Sequence, residues 1–128
     1  MRIHHVQVSC PPGGEDVARR FYGEGLGLPE VAKPSALAAQ GGCWFRTAGD
    51  DVVGGVELHV GVEPGFAPAR KAHPALILER VEDLDATAVR LEGLGFVVDR
   101  AEENTFPGHR RFHTYDGHGN RVELLAAF

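Results

Sequence analysis

The order of residues in the first half of this chain returns in the second. His5-Val6-Gln7-Val8 is followed by Glu15-Asp16, Leu26-Gly27-Leu28 and Val56-Glu57-Leu58. Later come His73-Pro74-Ala75-Leu76, Glu82-Asp83, Leu94-Gly95-Phe96 and Val122-Glu123-Leu124, in the same order and at nearly the same spacing. A duplication this long means two copies of one supersecondary unit. Each copy supplies one His and one Glu at matching places. Two such units facing each other would gather two imidazoles and two carboxylates, which is the donor set of a divalent-metal site.

With 128 residues, the chain is read as one domain with room for a real core. Its net charge of −5 argues against nucleic acid, which rewards basic patches. It leaves a metal or a cationic ligand open. No run of about 18 apolar residues exists to span a membrane. Met1-Arg2-Ile3 leads directly into a strand, so no signal peptide is expected. Cys10 and Cys43 are too few for a disulfide framework. They read as reduced core side chains of a cytoplasmic protein.

Period-two alternation over 3–10 predicts a strand with His5, Gln7 and Ser9 on one face and Val6, Val8 and Cys10 on the other. Pro11 to Gly14 stop it, and Glu15-Asp16 open a helix. Val17 with Phe21, and Ala18 with Tyr22, make its apolar side, and Gly23, Gly25 and Gly27 end it. Strands follow at 37–39, 43–46 and 56–62, with turns at Gly41-Gly42 and Gly54-Gly55. The first module, 1–62, is therefore βαβββ. Residues 63–72 form a Pro/Gly-broken connection. The second module, 73–128, repeats the order. It has a strand at 74–81, a helix capped by Asp83 and running to Leu94 with Leu84, Ala88 and Leu91 buried, and strands at 96–100, 111–115 and 121–125. A polar loop at 101–110 could cover a cavity.

If Val6, Val8, Val122 and Leu124 pack on the helices, the opposite strand faces carry His5, Gln7, Glu57, His59, His73, Arg111, His113, Tyr115, Arg121 and Glu123. His5, Glu57, His73 and Glu123 are the metal-ligand candidates, with His59 as the alternative to Glu57. Imidazole and carboxylate suit Ni, Co, Zn, Mn or Fe(II), and the lack of a thiolate argues against a structural zinc. Gathering carboxylates without a cation is costly, and Arg111 and Arg121 are the counter-charges at hand. Gln7, His59, Arg111, His113 and Tyr115 are the pocket candidates. Phe106 could shape an apolar part of that pocket, and Phe45 and Phe112 read as core. Trp44 and Phe66 are candidates for an interface.

The segments HHVQV, ARRFYGEGLGLPEV, VELHV, HPALILERVEDLDATAVRLEGLGF and DGHGNRVELL together resemble the vicinal oxygen chelate superfamily, which holds glyoxalases, bleomycin-resistance proteins and extradiol dioxygenases. The resemblance implies an α+β fold in which two paired βαβββ modules form a U-shaped, partly open mixed β-sheet barrel around a divalent metal. It places the family's ligands on His5, Glu57 or His59, His73 and Glu123. Gln7 and Ser9 stand where a glutathione-binding relative has a basic residue. The implied function is a metal-dependent lyase or isomerase for a small oxygen-chelating substrate, with Glu57 or Glu123 as base. One alternative is an extradiol-type dioxygenase using His5, His73 and Glu123. Another is a metal-free small-molecule binder of the bleomycin-resistance kind. The resemblance also implies a homodimer.

Overall fold

The computed structural model describes residues 1–47 and 55–128. Its internal contacts divide the chain into two compact units, Met1–Pro68 and Ala69–Phe128.

In the first unit β1 (Val6–Cys10) is followed by α1 (Glu15–Ala18), which widens without a break into a π-helical turn over Arg19–Gly25. The amide of Leu26 donates to the carbonyl of Phe21, five residues back, at 2.9 Å. The wider turn accompanies the complete burial of two successive rings, Phe21 and Tyr22, which meet edge to face with centroids 4.8 Å apart. Gly23 lies inside this turn rather than ending it, and Val17 is exposed rather than part of the apolar side. Then come β2 (Glu30–Val31), α2 (Ser35–Ala38), β3 (Cys43–Arg46) and β4 (Glu57–Val62). The sheet order is β1-β4-β3-β2, with β1 parallel to β4 and the other pairs antiparallel.

The expected strand at 37–39 is corrected by this structure: Ser35–Ala38 is a helical turn and the edge strand is Glu30–Val31, paired with Phe45 and Trp44. Alanine and leucine favour a helical turn, and Pro34 sets its extended entry. The Gly54 half of the expected Gly54-Gly55 turn lies outside the described residues. β1 also starts later than alternation suggests, which leaves His5 one residue ahead of the strand.

The second unit contains β5 (Ala75–Leu78), α3 (Val81–Gly93), β6 (Val98–Asp99), β7 (His109–Tyr115) and β8 (Arg121–Ala127), in sheet order β5-β8-β7-β6. α3 starts two residues before Asp83. That residue pairs with Arg80 at 2.8 Å instead of capping the helix. Leu84, Ala88 and Leu91 are buried as the helical period requires. β7 takes His109 and Arg110 from the expected loop, while β6 shrinks to two residues. The β7–β8 turn is tied by Asp116, whose carboxylate accepts the amides of His118 and Asn120 and the Asn120 side chain.

In both units the strand face away from the chemistry makes the core. Cys10, Phe45, Leu58 and Val60 do so in the first, and Phe112, Val122, Leu124 and Ala126 in the second. Cys10 and Cys43 are free and buried, and burial pushes the Cys43 thiol up to about 11.

Candidate functional site

In the second unit, β8 carries Glu123, 5 % exposed, directly across from His113 of β7, 3 % exposed. His73 enters from the segment before β5. Its Nδ1 lies 2.7 Å from the carbonyl of Lys71, so that nitrogen must be the donor and Nε2 is turned toward Glu123 Oε2 at 3.0 Å. His113 Nε2 lies 3.6 Å from the same oxygen. It also receives an N–H from Arg121 at 2.8 Å. An arginine can only donate, so Nε2 of His113 is a lone-pair nitrogen and the ring is neutral. Burial first, and then Arg121, hold the His113 pKa below its ordinary value.

Three acceptor atoms thus converge: His73 Nε2, His113 Nε2 and Glu123 Oε2, with one ligand atom from each residue lying within 4.8 Å of the others. One proton between His73 and Glu123 satisfies part of this set; a divalent cation would satisfy all of it, taking from Arg121 the single Nε2 lone pair of His113. The residues therefore fit a metal ion, with two imidazoles, one carboxylate and no thiolate. The Lys71 carbonyl is the kind of outer partner that fixes a ligand imidazole's tautomer.

Arg111 occupies the other oxygen of Glu123, with Nη1 at 3.0 Å from Oε1. The same guanidinium donates to Glu102 Oε2 at 2.6 Å, to the Glu102 carbonyl at 3.2 Å and to Thr105 Oγ1 at 2.8 Å. It also lies 5.5 Å from the ring centre of Phe106. Burial alone would raise the Glu123 pKa, but hydrogen bonds from His73 and Arg111 outweigh it and the net shift is downward. The expected counter-charge is therefore present. It comes from Arg111, while Arg121 serves His113. Tyr115, half-buried, ends the same strand face opposite Arg121.

The first unit is built differently. Both oxygens of Glu57 are engaged, with Arg46 Nε at 3.0 Å from Oε2, Arg46 Nη2 at 3.2 Å from Oε1, and His59 Nε2 at 2.9 Å from Oε1. The Arg46 guanidinium, followed by His59, holds the Glu57 carboxyl down at about 2. Because Nε2 of His59 donates to a carboxylate, its lone pair is on Nδ1, and burial lowers its pKa so that the ring is neutral at pH 7. The His59 ring is stacked on Trp44 (centroids 3.8 Å apart, planes 2° apart) and on His5 (4.1 Å, 20°). Gln7 stands opposite His59 on β1 and is exposed.

Strand register revises the repeat. Val6 pairs with Leu58, and Ala75 with Glu123. Continuing each register back, the residue two past the leading histidine's partner is His59 in the first unit and Glu123 in the second. His59, not Glu57, is thus the register counterpart of Glu123, and Trp44 is the counterpart of His113. The sequence placed His113 among pocket residues and did not single out Arg46. Counting back across the Asp116–Asn120 turn would have set His113 opposite Glu123.

A family model for the Glyoxalase/Bleomycin resistance protein/Dioxygenase superfamily matches residues 2–124. The chain belongs to that superfamily. Among solved structures, it is similar to a Bacillus anthracis protein assigned to the glyoxalase family, with 38 % identity, a TM-score of 0.84, and 100 % of this chain and 96 % of that one covered. It shares its fold with the genomically encoded fosfomycin resistance protein FosX of Listeria monocytogenes (14 % identity, TM-score 0.75, 100 % and 94 % covered). The same holds for a glyoxalase/dioxygenase of Nostoc punctiforme (21 % identity, TM-score 0.73, 99 % and 92 % covered). No curated protein matches the sequence. The superfamily's paired βαβββ units, each with one mixed four-stranded sheet, are the two units seen here. Among the described residues no helix is long and apolar enough to cross a membrane.

Proposed function

We propose that this member of the superfamily is a divalent-metal-dependent enzyme acting on a small substrate that offers oxygen to the ion. A lyase or isomerase reaction is the preferred reading. The observation that carries it is the convergence of His73 Nε2, His113 Nε2 and Glu123 Oε2. When bound, such an ion supplies Lewis-acid polarisation of a substrate oxygen. The chain's own residues do the rest. Lys71 holds His73 in the ligand tautomer. Arg111 keeps one oxygen of Glu123 occupied, so that the other faces the imidazoles.

Within the first unit, the side chain suited to accept a proton is His59. Its Nε2–H is fixed by Glu57, which leaves Nδ1 as the accepting atom, and its lowered pKa keeps it unprotonated at neutral pH. Glu57, near 2 and tied by Arg46, is a weak base and is better placed as the group that orients His59.

The second reading is an extradiol-type oxygenase. Two imidazoles and one carboxylate are also the donor set of Fe(II) oxygenases. Protein purified without added metal is analysed for metal content, and thermal stability is then followed with Mn, Fe(II), Ni, Co and Zn. At 100-fold excess over the dissociation constant, a bound ion should add about 2.7 kcal/mol. His73→Ala, His113→Ala and Glu123→Gln should each abolish the response. His5→Ala tests the expected ligand from the first unit. Oxygen uptake on catechols in the presence of Fe(II) would select the oxygenase, whereas protein that takes up no metal at all would leave the small-molecule binder. A homodimer is part of the proposal and is checked by light scattering.

A further inference from the structure

A cavity of about 200 Å³ opens on the first unit, lined by Gln7, Lys33, Leu37, Gln40, Trp44 and Gly61 among others. Its size is close to that of an engineered cavity of about 150 Å³ that takes benzene, so it suits a ligand of roughly ten heavy atoms or fewer. The lining has one full charge. The Lys33 ammonium donates to the carbonyl of Gly41 and makes no ion pair among the described residues. Among the described residues, two of its three N–H groups are left for a ligand.

That reach is set in advance. Glu15 Oε1 accepts the amide of Gly42 at 3.1 Å and so pins the Gly41-Gly42 turn whose carbonyl meets Lys33. On the opposite side Gln7 lies over Gly61. A Cβ there would come within 2.8 Å of Gln7 Nε2, although Gly61 has no left-handed φ to require a glycine. The missing side chain gives the Gln7 amide its room. Leu37 and the Trp44 indole supply apolar wall, and Trp44 in turn lies against His59.

We propose that this pocket binds a small organic oxyanion, a carboxylate or phosphate ester with a short apolar tail, through Lys33 and Gln7 against Trp44. Calling the ligand the substrate rests on the function proposed above; the link is Trp44, which lines the pocket and stacks on His59. The pocket's preference for an oxyanion stands on Lys33 alone.

Trp44 is the only tryptophan in the chain, so its fluorescence reads this pocket directly. Metal-chelated protein is titrated at constant ionic strength with butyrate, propyl phosphate and, as a neutral control, 1-butanol. Saturable changes with an anion and none with butanol are expected, at millimolar dissociation constants on the order of what such small ligands achieve. Lys33→Gln should weaken binding by about tenfold or more, and Lys33→Arg should restore it to within about threefold. Circular dichroism checks that both variants fold. A response that never saturates, equal binding of butanol, or a Lys33→Gln titration matching wild type would overturn the proposal. Since the titration is done without metal, its failure leaves the metal reading intact, and anion binding by a protein that takes no metal sinks only the latter.

Discussion

Replacing Arg46 by Met isolates the interaction on which the first unit's polar face depends. The substitution keeps the aliphatic stem and removes both donors to Glu57, a side chain only 2 % exposed. The Glu57 carboxyl moves from 4.5 to about 2 on folding, a fall of about 2.5 units (4.5 minus 2). At about 1.4 kcal/mol per unit this corresponds to roughly 3.5 kcal/mol of preference for the ionised form. Arg46 shares that effect with His59 and is itself 37 % exposed, so solvent screening reduces its part to about 1.5–2 kcal/mol. A depressed carboxyl pKa contributes stability above pH 4.5, and that stability disappears as pH falls through about 2. The Arg46→Met penalty should therefore be largest at pH 7, fall to about half or less at pH 3 and vanish below about pH 2. Urea unfolding of the chelated protein at pH 7 and pH 3 measures it. A cycle with Glu57→Gln should return a coupling of about 1.5–2 kcal/mol at pH 7. A neutral-pH loss below about 0.5 kcal/mol, or the same loss at both pH values, would refute the reasoning.

Gly42→Ala places a Cβ 2.2 Å from the Val60 carbonyl oxygen at a φ of +82°, so it should cost at least about 2 kcal/mol in the same urea assay, and a change under 0.5 would show the turn to be pliable. Protonated imidazole quenches a stacked indole, and burial holds the His59 pKa below its usual 6.5; the midpoint of the fall in Trp44 emission on acidification should lie below pH 6.5, and His59→Gln should flatten the curve. Leu91→Ala empties a fully buried position of α3 and should lower stability by about 2–5 kcal/mol by thermal or urea unfolding. Arg111→Gln leaves Glu123 Oε1 without its donor and frees Glu102 and Thr105. It should weaken metal binding by about 10–100-fold in a competition titration, whereas an unchanged affinity would show that Arg111 does not position Glu123.

The duplicated pattern and the alternation of side chains were enough to identify two βαβββ units and to say which strand faces are polar. Both signals are local. Leu58 and Val60 had to be buried once Glu57 and His59 faced the other way, and Leu84, Ala88 and Leu91 had to share a stripe at helical spacing. Element edges were less legible where two local tendencies compete. The Ser35–Ala38 segment could extend or coil, and the choice was settled when Glu30 and Val31 took the place beside Phe45 and Trp44.

The pairing of functional groups belonged to tertiary structure, because register is set by contacts between strands far apart in sequence. Equal spacing along the chain matched Glu57 with Glu123. The strand ladders matched His59 with Glu123 and brought Arg46 onto Glu57. Sequence alone therefore determined which side chains share a face. Only the folded sheets decided which of them touch, and hence which carboxylate is tied to an arginine and a histidine and which one meets two imidazoles.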